Sequence, residues 1–175
     1  MDKKLENHAK EIIENLSRER SKIWDNSPLS GYKNLDIDKR GSFGERLIKD
    51  VMSPKVRRIE YNDGDQGDWD IKIENKKIEI KTSSIDKNNK FQNEGLKKDG
   101  DYDSIIFVGV EPNGINIKCA KKEEINFEDL HSREERKTGA GSKWDLKKED
   151  MQSVNSDSDI FDIINENLFD GKLKK

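Results

Sequence analysis

The chain has 175 residues, enough for one domain, and its 34 Lys+Arg against 37 Asp+Glu leave a net charge of −3, which excludes a globally basic nucleic-acid-binding surface. Charged residues make up 41% and apolar residues 30%, near the composition of disordered chains, yet Ile, Leu, Val and Phe together number 40, sufficient for a small core. No apolar run approaches the roughly 18 residues of a membrane span and charge runs through the N-terminal region, so a soluble, cytoplasmic protein is expected. Cys119 is the only cysteine, which excludes an internal disulfide and a Cys-based zinc site; a lone buried thiol is its expected state.

Between residues 3 and 24, Leu5, Ala9, Ile12, Ile13, Leu16 and Ile23 fall at helical spacing with charges on the remaining face, predicting an amphipathic helix. Residues 26–38, with Pro28 and Gly31, read as an irregular connector. A second helix is predicted over about residues 43–52. Ser42 and Glu45 form an S-x-x-E capping box at its start, Leu47, Ile48 and Val51 supply an apolar stripe, and Pro54 stops it. Residues 56–61 predict a strand, followed by an acidic, Gly-containing loop over residues 62–68 and two runs in which isoleucines alternate with charges.

Those runs, Ile71 and Ile73 followed by Ile78 and Ile80, predict a hairpin with Asn75-Lys76 at the turn. In that register Ile73 faces Ile78, Lys72 faces Glu79, Ile71 faces Ile80 and Asp70 faces Lys81. A one-residue slip would turn one strand's isoleucines to solvent, so the pattern itself constrains the pairing. After a polar stretch with a short helix expected at residues 91–98, Ser104 to Val110 (SIIFVGV) reads as a strand buried on both faces. Glu111-Pro112-Asn113-Gly114 predicts a turn into an antiparallel strand carrying Ile115, Ile117 and Cys119. Residues 131–144 read as a basic, Gly-containing loop, and residues 157–169 as a closing helix capped by Asp157 or Ser158. The order predicts an α/β (α+β) domain with a central mixed sheet flanked by helices, and covering the sheet is the expected task of both terminal helices.

The hairpin places Asp70, Glu79 and Lys81 on one surface, with directly opposed Cβ atoms about 5 Å apart. Two carboxylates and an ammonium suit metal-assisted phosphodiester hydrolysis, because magnesium takes oxygen ligands and is commonly held by one or two carboxylates plus substrate phosphate. An acid two residues before a lysine occurs seven times in this charged chain, so the spacing alone discriminates little. Only Glu79-Ile80-Lys81 lies in an alternating strand whose partner starts with an aspartate.

With Asp70 followed by Glu79-Ile80-Lys81, the chain resembles the PD-(D/E)xK phosphodiesterase superfamily, which includes many type II restriction endonucleases. The resemblance covers about residues 40–125, and Trp69 stands where the family name has proline. It implies a restriction-endonuclease-like core, a magnesium cofactor and double-stranded DNA as substrate. It also implies a homodimer, with Asp70, Glu79 and the Ile80 backbone at the metal, Lys81 orienting the attacking water, and Glu45 as a further acid from the preceding helix. The expected division is a helix and connector at 1–35, a catalytic core at 36–125 and a basic loop with a helix at 126–175. A sequence-specific restriction endonuclease is the leading reading. A structure-selective repair or recombination nuclease and a non-catalytic DNA-binding or interaction domain are the alternatives.

Arg133, Arg136, Lys137 and Lys143, with Trp144, are candidate DNA contacts in the basic loop, balanced against a flexible charged loop. Glu45 has the rival role of capping-box acid, and Asp68 could replace Asp70 as ligand. Residues 63–74 partly imitate a calcium loop, but Asp68 occupies its glycine position and the flanks read as strands. His131 reads as a surface histidine.

Overall fold

The strand predicted at SIIFVGV is apolar from end to end because neighbouring layers cover both of its faces. The computed structural model describes residues 3–62, 68–130 and 142–173. In chain order the elements are α1 (Lys3–Ser21), α2 (Ile37–Met52), β1 (Ile59–Tyr61), β2 (Ile71–Ile73), β3 (Lys76–Ser84), β4 (Lys90–Leu96), β5 (Ser104–Glu111), β6 (Gly114–Lys121), β7 (Ser142–Lys147), β8 (Gln152–Val154) and α3 (Asp157–Phe169). Six strands form one sheet in the order β1-β2-β3-β5-β6-β8, and β4 pairs with β7 in a separate ribbon. Among the described residues only β3 and β5 run parallel; the other pairs are antiparallel, so the sheet is mixed as expected.

The parallel register aligns Ile80 with Ile106 and Thr82 with Val108 on one face, and Glu79 with Ile105, Lys81 with Phe107 and Ser83 with Gly109 on the other. Helices α2 and α3 cover the first face with Ile48, Val51, Met52, Ile160, Ile163 and Ile164, all buried. The ribbon covers the second: Trp144 meets Phe107 edge-on at 5.2 Å, and Phe91 lies over Gly109, where a Cβ would stand 2.8 Å from its ring. On the helical face, a Cβ at Gly44 would meet Thr82 Oγ1 at 2.0 Å, so the missing side chain lets α2 lie directly on β3.

Several expectations are corrected. The hairpin turns at Glu74-Asn75, with Glu74 at φ 53°, and pairs Ile71 with Ile78 and Ile73 with Lys76. Moving the turn by one residue shifts the pairing by two, which preserves the buried isoleucine face while placing Asp70 across from Glu79 rather than Lys81. Helix α2 starts six residues earlier than predicted, capped by the Asp36 carboxylate, which accepts from Lys39 N at 2.9 Å. Ser42 therefore lies inside the helix, its hydroxyl donating to the Asp38 carbonyl at 3.2 Å, and the Ser42–Glu45 capping box is not formed.

Residues 91–98 are not helical: β4 buries Phe91, Asn93 and Leu96 against the sheet, with a register shift between Asn93 and Leu96. Lys143 and Trp144, expected in a loop, belong to β7, and β8 was not anticipated. β1 is shorter than the run 56–61. Helix α3 has the expected bounds, but its cap is Ser156, whose hydroxyl accepts from Asp159 N while the Asp159 carboxylate accepts from Ser156 N. α1 does not join the covering layer; Leu5, Ile12 and Ile13 stay exposed. Burial pushes the half-buried Cys119 thiol up to about 12, in keeping with an inert thiol. No helix among the described residues is long and apolar enough to cross a membrane.

Candidate active site

β2 pairs with β3 only as far as Ile78, so beyond that point β3 loses its neighbour on this side. Asp70, immediately before β2, fills the gap. Its backbone N–H donates to the Ile78 carbonyl at 3.0 Å, and its carboxylate Oδ2 accepts the Ile80 N–H at 2.6 Å. A side chain thus replaces a strand partner for an amide that would otherwise be unpaired. Glu79 and Lys81 flank Ile80 on the opposite face from its buried side chain and form an ion pair with each other; their side chains are 14% and 23% exposed.

Burial dominates the electrostatics. It raises Glu79 to about 7 against the lowering effect of Lys81, with the Asp70 charge raising it further. Asp70 is also raised by burial, opposed by the Ile80 amide, Lys81 and a hydrogen bond with Glu79, which makes the two carboxyls direct neighbours. Glu45 reaches the same cluster from α2: burial raises it first, then Asp70, while Lys81 lowers it. Since Asp36 caps α2, Glu45 is free of the capping duty that competed with this position. The close approach at Gly44, its chain neighbour, brings that turn of α2 against β3.

Three groups that sequence reasoning left out or placed second border the cluster. Lys97, after β4, pairs with Asp68 at 2.6 Å, and Asp68 also accepts the Asp101 N–H at 3.2 Å. The Lys97 hydrogen bond, then the Asp101 amide, hold Asp68 below the usual carboxylate range. Asp68 is therefore already engaged by a cation, whereas Asp70 faces Glu79. The Tyr102 hydroxyl donates to the Lys97 carbonyl at 2.6 Å and is pushed up to about 12, by burial first and then by the charges of Glu79 and Asp68. No periodicity links Lys97 or Tyr102 to the hairpin, because both arrive on a connection between the ribbon and β5.

The donor set tests the implied metal. Among the described residues no three or more His, Cys, Asp and Glu side chains assemble into a metal-holding group. Two hard carboxylates, Asp70 and Glu79, with backbone oxygen at Ile80, match the sparse protein ligation typical of magnesium and not the closed nitrogen and sulfur shell of structural zinc. Glu74, the last residue of the imagined calcium loop, sits in the hairpin turn. Arg133, Arg136 and Lys137 lie outside the described residues, as does His131. Lys143 is paired with Asp145 at 3.2 Å and only 19% exposed, and Trp144 packs on Phe107, so neither projects as a loop contact.

No protein-family model matches the chain, and no curated protein matches it. Among solved structures, the bacterial homing endonuclease I-Ssp6803I is similar over 73% of this chain and 91% of that chain, with 13% sequence identity and a TM-score of 0.45.

Proposed function

We propose that this protein is a magnesium-dependent DNA endonuclease whose active centre is the Asp70–Glu79–Lys81 cluster with Glu45 beside it. The observation that carries the reading is a pair of buried carboxylates held side by side at the open edge of β3, both raised above their ordinary values. Burying two like charges is costly, and an arrangement that keeps them together is explained by a task for which they are needed. The only resident cation in the ion pair is Lys81, which itself sits on the reacting face.

Asp70 and Glu79, with Ile80 backbone oxygen, would hold the ion. When bound, magnesium supplies an acidified water and charge neutralisation at the phosphate. The Ile80 amide fixes one Asp70 oxygen in place. Lys81, two residues along β3 from Glu79, orients the attacking water or holds a phosphate oxygen as negative charge builds up. Glu45 accepts a proton on the α2 side. Water adds to phosphorus, the phosphodiester P–O bond breaks, and the leaving oxygen is protonated.

Within this reading, sequence-specific restriction by a homodimer on double-stranded DNA is the leading role, with structure-selective cutting as the second. The exposed apolar face of α1 offers a surface for the second copy. The test is digestion of a large, sequenced, unmethylated DNA with magnesium and with chelator. Discrete magnesium-dependent fragments support the restriction reading, and a smear or nicks support a less selective nuclease. DNA that stays intact in both conditions, branched substrates included, refutes the enzyme in favour of a binding module.

A further inference from the structure

Next to the carboxylate cluster, on the far side of Tyr102, lies a groove of about 590 Å³ bordered by Lys76, Lys98, Lys121 and Lys122. It runs across the end of the sheet where β3 and β5 begin and β6 finishes. Tyr102 is the shared wall: it feels the charge of Glu79 on one side and carries the Lys122 ammonium over its ring, 4.9 Å from the centroid, on the other. Lys122 also donates to the Gly100 carbonyl at 2.5 Å and is close enough to lower Asp68. The groove and the cluster are therefore neighbours in one electrostatic field.

We infer that this groove is the track that holds the nucleic-acid phosphates flanking the bond to be cut, an inference that rests on the endonuclease reading. Two buried carboxylates repel a polyphosphate, and a cation-lined channel beside them offsets that repulsion. The lysines are poised for exchange. Lys98 meets Glu128 at 3.8 Å and Lys121 meets Asp170 at 3.5 Å, loose pairs of the kind that contribute little and give way to a phosphate. Lys76 lies over the Phe169 ring, 5.6 Å from its centroid.

Two acids also line the groove, Asp103 and Glu123. The Asp103 carboxylate is occupied by the Lys77 N–H at 2.8 Å and Glu123 is exposed, while Glu128, Glu124 and Asp170 meet the Lys98 or Lys121 ammonium only at 3.8, 4.0 and 3.5 Å, so a phosphate entering the groove displaces loose partners. Phe127 and Ile125 add an apolar floor against which a sugar or base can rest. By contrast, Lys143 is committed to Asp145.

The experiment compares wild-type protein with Lys98→Ala/Lys121→Ala for binding of a short duplex by fluorescence anisotropy, in chelator and across a range of salt. Lys122 is left in place because its ammonium braces Gly100. Lys147→Ala, beside the connection between β3 and β4, is the control, and thermal melts establish that all three proteins are folded. The expected result is a salt slope lower by about one for each lysine removed, with the control unchanged. Wild-type binding with an unchanged slope in the double variant overturns the groove and leaves the endonuclease reading standing. A wild-type protein that binds no duplex at any salt overturns both.

Discussion

Glu79→Gln separates the stability of this fold from the chemistry proposed for it. Glu79 is held up to about 7 against an ordinary value of 4.5, with burial as the leading cause. Between those values the folded protein keeps a proton that the unfolded chain has released, so stability falls as pH rises through the window and levels off above about 7. At about 1.4 kcal/mol for each pH unit, the ionised carboxylate costs the metal-free fold roughly 3 kcal/mol under mildly alkaline conditions. Glutamine keeps the shape and stays neutral, like the protonated acid. The variant should therefore be more stable by up to roughly 3 kcal/mol at about pH 8 and almost equal to wild type near pH 4.5. Asp70 shifts in the same direction and remains in both proteins. Urea unfolding of both proteins in chelator at the two pH values measures the difference. An identical stability difference at both pH values, or a less stable variant at the alkaline one, refutes the reasoning. Because the same change removes a carboxylate of the proposed metal site, a more stable protein that no longer cleaves is the outcome expected if that proposal holds.

Gly44→Ala places a methyl 2.0 Å from Thr82 Oγ1, so α2 must retreat from β3 at a cost of about 1–3 kcal/mol. Thr82→Ala should recover much of that loss in a double-mutant unfolding cycle, and strictly additive effects would count against direct contact. Lys81→Ala should abolish cleavage while duplex binding in chelator persists; its melting temperature should drop more at alkaline than at acid pH, because the ionised Glu79 loses its partner. Retained cleavage would remove Lys81 from the mechanism. Ile12→Asp together with Ile13→Asp should convert a dimer to a monomer in sedimentation while each subunit stays folded, because neither side chain is buried in the chain's own core. A wild-type protein that is monomeric at every concentration would sink that assignment.

Much of the architecture was readable from local pattern. SIIFVGV and its turn into β6 depend on continuous hydrophobicity and on Pro112-Asn113, and both lie where the pattern placed them. α3 has the predicted bounds because its apolar spacing marks them, although the capping residue is Ser156 and not Asp157 or Ser158. The isoleucine alternation determined which residues of β2 and β3 face the core, and hence that Glu79 and Lys81 share the other side. Parity survives a shift of two, which is why the face was legible even though the turn was displaced by one residue.

The sequence by itself thus determined a mixed α/β domain, its central strand, and the hairpin face that carries Asp70, Glu79 and Lys81. Tertiary structure decided what depends on contacts between distant segments. It set Asp70 against the Ile80 amide, released Glu45 by moving the cap of α2 back to Asp36, and turned residues 90–96 into a strand covering Gly109. It also brought Lys97 and Tyr102 to the carboxylates and left the apolar face of α1 uncovered. Periodicity reports which way a side chain points along its own element. What it meets there depends on which other layer the chain folds back to supply, and no local pattern carries that information.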